Sequence, residues 1–84
     1  MWLIEDELHA EYQAEYPSRQ EAVAELRRRA DLAWDKEPNL APCTSWRTCG
    51  RRYELIERDG SDEKSRELAL EVSGEGVKWH LASN

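Results

Sequence analysis

Only one segment of this chain carries the spacing of a helix, and that limits what the rest can be. Ser18-Arg19-Gln20-Glu21 opens the segment in capping-box order: a hydroxyl side chain, then a carboxylate three places on. Ala22, Val23, Leu26, Ala30 and Ala33 follow at helical spacing. Alanine, leucine, arginine and glutamate are strong helix formers. Glu25 and Arg29 make a favourable i,i+4 pair, and Arg27-Arg28-Arg29 suit the negative end of the helix dipole. The spacing predicts a helix over 19–32. Its apolar stripe must be buried against something, and the flanking segments offer only sheet.

Those segments alternate with a period of two. Trp2-Leu3-Ile4-Glu5 reads as a first strand and Asp6-Glu7 as a turn. Leu8, Ala10, Tyr12, Ala14 and Tyr16 then alternate with His9, Glu11, Gln13 and Glu15, which predicts a second strand over 8–16. Pro17 and Ser18 end it. Beyond the helix, 51–58 is a strand with Tyr53 and Leu55 on one face and Arg52, Glu54, Ile56 and Arg58 on the other. Residues 59–63 form a polar turn, 67–72 alternate again, 73–76 make a glycine-bearing hairpin turn, and 77–82 form the last strand.

The expected fold is a two-layer α+β domain of order β-β-α-β-β-β. It has one helix on one face of a mainly antiparallel sheet of about five strands. The predicted core is Trp2, Ile4, Leu8, Tyr12, Val23, Leu26, Ala30, Tyr53, Leu55, Leu68, Leu70, Val72, Trp79 and Leu81. The other sheet face is left open, carrying His9, Glu11, Gln13, Glu54, Ile56, Glu71, Lys78 and His80.

Eighty-four residues make one domain, 1–84, with no room for a second core. The charged fraction of 36% places most non-core positions in water, and four tryptophans with three tyrosines supply the bulky packing in the absence of phenylalanine. A net charge of −6 argues against nucleic acid, despite the local arginine clusters at 27–29 and 51–52. No apolar run approaches the roughly 20 residues that cross a bilayer, so no membrane partner is expected. The N-terminus lacks the pattern of a signal peptide. A cytoplasmic location follows as the expectation, with reduced cysteines.

Both cysteines lie between the helix and the third strand, in a loop over 35–50 that holds Pro38, Asn39, Pro42 and Gly50. Such loops are longer than most connections in compact domains and are often functional. Asn39, Cys43, Trp46, Arg47, Cys49 and Arg51 are its candidate functional residues. Four readings stand open. Cys43 and Cys49 are small buried residues pinning the loop, with Trp46 as a lid. Alternatively, they form a disulfide worth about 2–2.5 kcal/mol by chain entropy, or a redox pair whose thiols are acidified by Arg47, Arg51 and Arg52. A zinc site would need His9 and His80 as the remaining ligands, with a wider cysteine spacing than usual. Thiol catalysis would need one of those histidines as base. There is no His-x-Glu, no phosphate-cradling glycine loop and no nucleophile elbow, so an enzyme is not the favoured reading and no cofactor is expected.

The segment Pro38-Asn39-Leu40-Ala41-Pro42-Cys43-Thr44-Ser45-Trp46-Arg47-Thr48-Cys49-Gly50-Arg51 resembles one found in a family of small uncharacterised bacterial proteins. The resemblance extends to the N-terminal half, a strand pair followed by a Ser-capped helix, and would cover most of the chain. It implies no activity and no catalytic residue. The leading expectation is a non-enzymatic interaction or accessory module. It would grip a protein partner through the open face (His9, Glu11, Glu54, His80) or the Trp46 loop, or self-associate through an edge strand. A cysteine-centred redox or zinc protein is the alternative.

Overall fold

A computed structural model describes residues 1–41 and 50–81. Five strands and one helix follow in the order β1 (Trp2–Asp6), β2 (Glu11–Tyr16), α1 (Arg19–Ala30), β3 (Arg51–Asp59), β4 (Asp62–Ser73) and β5 (Gly76–Trp79). The strands form one antiparallel sheet with spatial order β2-β1-β3-β4-β5. The protein is therefore α+β, with α1 packed across β1, β2 and β4. None of its described helices is long and apolar enough to cross a membrane.

The Ser18 hydroxyl caps α1 by accepting the Glu21 N–H at 3.2 Å. The return contact differs from the expected one: the Ser18 hydroxyl donates to the Glu21 carboxylate at 3.0 Å. The helix ends at Ala30, two residues short of the expected 32, where Asp31 closes it with its N–H on the Arg28 and Arg29 carbonyls. Ala22 and Leu26 are fully buried against Ile4, Tyr53, Leu55, Leu70, Val72 and Leu81. Trp2, Tyr16, Trp34 and Trp79 pack at the margin of this core. The polar tips of tryptophan and tyrosine favour such a position, although the Trp79 Nε1 is buried with no partner among the described residues. Trp34, just past the helix, is partly buried against this core.

The second strand departs from its sequence pattern. Residues 7–10 form a turn, with Ala10 at φ 54°, so β2 starts at Glu11 and not at Leu8. Leu8 is 49% exposed and Tyr12 58% exposed, although both were expected in the core. Leu8 is exposed because it lies in the turn, and Tyr12 because of a β-bulge. Ile4 pairs with Ala14, but the next pair is Glu5 with Tyr12, leaving Gln13 as the extra residue. One extra residue reverses the alternation, since the side-chain period is two. Tyr12 is turned onto the face that α1 leaves uncovered. Glu11 and Gln13 turn the other way and reach Arg51 and Arg29, which corrects their assignment to the open face.

A second bulge, between Tyr53 and Glu54, inserts Ala69 into β4. Leu70 pairs with Tyr53 and Leu68 with Glu54, so Ala69 is buried and Leu68 only partly so. Ile56 was expected on the wet face but is 2% exposed. It lies beside Leu3 as the apolar floor of the uncovered face. Charged side chains meet over this face: Arg66 donates to Glu5 at 2.7 Å, Glu54 at 2.5 Å and Glu63 at 2.8 Å. The β3–β4 turn is only Gly60-Ser61, with Gly60 at φ 64°, so β4 begins five residues before the expected 67.

Candidate functional site

The buried polar and charged side chains of the described residues are Asp6, Arg29, Asn39 and Arg51. All four converge where the cysteine-bearing connection leaves and rejoins the fold. That convergence defines the candidate site.

Asp6, the last residue of β1, is fully buried. It is placed there by two backbone donors, the N–H groups of Leu8 and Arg52, each 3.1 Å from Oδ1. The first makes an Asx turn that carries the chain out of β1. Its other oxygen receives Arg51 Nη1 at 2.9 Å and lies 2.6 Å from His9 Nδ1. His9 and Arg51 thus meet on one oxygen of the same carboxylate. Arg51 also donates to Glu11 and, through Nη2, to the Leu40 carbonyl at 2.6 Å. Its Nε is buried and has no partner among the described residues. Burial opposes the charge on Arg51, but hydrogen bonds to Glu11 and Asp6 outweigh it and raise the pKa above the ordinary value.

A second buried chain runs from the helix to the loop. Arg29 donates to Glu25 at 2.7 Å and to Gln13 at 3.2 Å, and its guanidinium lies 5.0 Å from the Tyr53 ring centroid. The Tyr53 hydroxyl donates to Asn39 Oδ1 at 2.9 Å. The Asn39 amide nitrogen donates in turn to the carbonyls of Arg29, Leu32 and Ala33 at 2.9, 3.3 and 3.4 Å. Asn39 thereby ties the last turn of α1 to the residues that follow it. Burial raises the pKa of Tyr53, so its hydroxyl stays protonated as a donor.

Residues Ala41 and Gly50 bracket the connection, and both are buried. At Gly50 a Cβ would stand 1.8 Å from the Val72 carbonyl oxygen and 2.6 Å from Ser73 Cα. Only glycine lets the returning chain lie so close to β4.

Of the residues chosen from sequence, the structure brings Asn39, Arg51, His9 and Glu11 into or onto this site. Glu54 and His80 lie elsewhere. Glu54 accepts from Arg66, and His80 Nε2 is 2.7 Å from Glu71, which also accepts from Arg52 at 3.3 Å. The His80 contact, helped by Arg52, holds the Glu71 carboxyl below its ordinary pKa. His9 and His80 thus serve different carboxylates, and among the described residues no group of three His, Cys, Asp or Glu side chains is arranged to hold a metal. Cys43, Trp46, Arg47 and Cys49 lie outside the described residues.

Asp6, Arg29 and Tyr53 are the site residues that sequence reading missed. From sequence Arg29 stood with Arg27 and Arg28 only as charges suiting the helix dipole; Arg27 and Arg28 are exposed, one 4.7 Å over the Trp79 ring and the other bonded to Glu25, whereas Arg29 is buried. Comparison with protein-family models, curated proteins and solved structures finds no match to this chain.

Proposed function

We propose that this protein is a non-enzymatic interaction module whose recognition element is the connection carrying Trp46 and Arg47. The observation that supports it is the convergence of Asp6, Arg29, Asn39 and Arg51 on the two ends of that connection. Burying four polar side chains costs free energy unless each is bonded. Here their bonds tie β1, α1 and β3 to the chain at Asn39, Leu40 and Arg51, and so fix both ends of the connection. Fixed ends lower the entropy lost when a loop engages a partner. Tryptophan and arginine are the residue types that dominate interface energetics. Self-association by edge pairing has less support. β5 pairs only with Leu70–Ser73, and the exposed stretch of β4 beyond it carries Asp62, Glu63, Lys64, Arg66 and Glu67, charges that discourage strand addition.

The test is quantitative affinity purification of the tagged chain from its source cells beside Trp46→Ala and Arg47→Ala variants. A partner retained by the parent chain and depleted by both variants, at unchanged melting temperature, is the expected result. If every co-purifying protein is indifferent to both residues, the reading fails. Native thiol titration separates the redox alternative: rapid labelling of both cysteines with a depressed thiol pKa would favour it.

A further inference from the structure

We infer that the flank of α1 between Arg19 and Arg27 binds an acidic segment of a partner protein, two carboxylates of which meet the two arginines. The inference stands without the loop reading, because neither arginine belongs to the candidate site.

Arg19, Gln20, Val23, Ala24 and Arg27 line a groove of about 450 Å³. It runs along the side of α1 that faces β4 and β5, since Arg19 reaches Glu67 at one end and Arg27 lies over Trp79 at the other. Unlike the buried stripe of Ala22 and Leu26, this side is open. Gln20, Ala24 and Arg27 are exposed, and Arg19 and Val23 are half-buried. A partner side chain can therefore settle on Val23 and Ala24 between the two cations.

The charge of the lining selects the ligand. No carboxylate lines the groove. Arg28 and Arg29 both bond Glu25, whereas Arg27 has no carboxylate partner among the described residues. It lies 4.7 Å over the Trp79 ring instead. That contact holds the guanidinium in place and leaves its donors to a ligand, so little ordering entropy is lost on binding. Arg19 meets Glu67 at 3.3 Å with both side chains well exposed. A surface pair of this kind contributes little and exchanges readily for a ligand carboxylate. Eight residues of helix set the two arginines about 12 Å apart along the axis. In an extended segment, carboxylates four residues apart span about 13 Å, and a small apolar residue between them covers Val23 and Ala24. A net charge of −6 repels polyanions and a second copy of this chain. The partner therefore carries its acidic pair on a surface that is otherwise neutral or basic.

The test is an amide-resolved NMR titration with the capped peptide Gly-Glu-Ser-Val-Ser-Glu-Gly, beside the same peptide with both glutamates replaced by glutamine. Shifts centred on Arg19, Val23, Ala24 and Arg27 are expected with the acidic peptide only. Arg19→Gln and Arg27→Gln, at unchanged melting temperature, should each weaken binding roughly threefold. Arg28→Gln, outside the groove, should leave it unchanged. Shifts centred on another basic patch, an equal response to the glutamine peptide, or a loss as large with Arg28→Gln would overturn the inference. So would the same shifts from inorganic phosphate alone, the mark of an adventitious ion only. Concentration-dependent broadening of these amides without peptide would overturn it too, by marking the flank as a contact between copies.

Discussion

The Tyr53 hydroxyl and the Asn39 side chain share a hydrogen bond of 2.9 Å, and both residues are fully buried. Through it a residue in the middle of β3 holds the residue that closes the carboxyl end of α1. Helix, sheet and the start of the cysteine-bearing connection are thereby joined at one point.

Tyr53→Phe deletes the donor and leaves Asn39 Oδ1 buried without it. A buried group left unsatisfied costs about 1–3 kcal/mol. Asn39→Ala should cost more than Tyr53→Phe, because it also strips the amide from the carbonyls of Arg29, Leu32 and Ala33. Urea unfolding of the two single variants and the double variant should give a coupling of about 0.5–3 kcal/mol. Strictly additive losses would show that the contact carries no energy of its own.

Asp6→Ala should be the most damaging single change on the polar side of the core. It removes one carboxylate partner of the buried Arg51, the partner of His9, and the acceptor for two backbone N–H groups. Breaking a buried pair costs about 3–5 kcal/mol, a large part of the total stability of a small domain. Glu11→Gln should cost far less, because Glu11 is 41% exposed and Asp6 still holds Arg51. Thermal melts of the two variants test the ordering.

The parts of the fold that could be read in the sequence are those governed by neighbours. Ser18, Leu26 and the Leu70–Val72 alternation depend on residues a few places away, and the helix and the β4–β5 hairpin were found. The bulge opposite Ile4 and Glu5 depends on how two strands meet, so the clean alternation of 8–16 pointed Tyr12 the wrong way. The site was half visible. Asn39 and Arg51 were chosen because they flank an unusual loop. Asp6 and Arg29 were passed over because their partners lie far off in sequence, Arg51 45 residues from Asp6 and Gln13 16 from Arg29. A local hint existed for Asp6: an aspartate at a strand end, two residues before a turn N–H, is placed to form an Asx turn.

Glycine substitutions should separate crowding from backbone strain. Gly50→Ala would drive a methyl into the Val72 carbonyl, so the chain must shift at the base of the connection. Overpacking of this kind costs about 1–3 kcal/mol or more, and amide shifts should change along β4 as well as at 50–52. Gly60 sits at φ 64° with open space around it. Gly60→Ala should cost about 1–2 kcal/mol from the left-handed backbone alone, with shifts confined to the β3–β4 turn. Equal and equally local effects at both positions would contradict the close approach of Gly50 to β4.

Acid should weaken the anchor of Arg29. Hydrogen bonding from Arg28 lowers the pKa of Glu25 below its ordinary value; burial opposes this, and Arg29 adds to the lowering. A carboxylate with a depressed folded-state pKa contributes stability at neutral pH. That contribution is complete above the unfolded-state value and disappears as pH falls through the folded one. Glu25→Gln should therefore be less stable than the parent chain at pH 7, and the gap should close as the pH drops below the ordinary carboxylate range. Urea unfolding at neutral pH and at successive acidic values measures that gap. A gap that stays constant, or widens in acid, would mean that the ionised form of Glu25 is not what secures Arg29 over the Tyr53 ring.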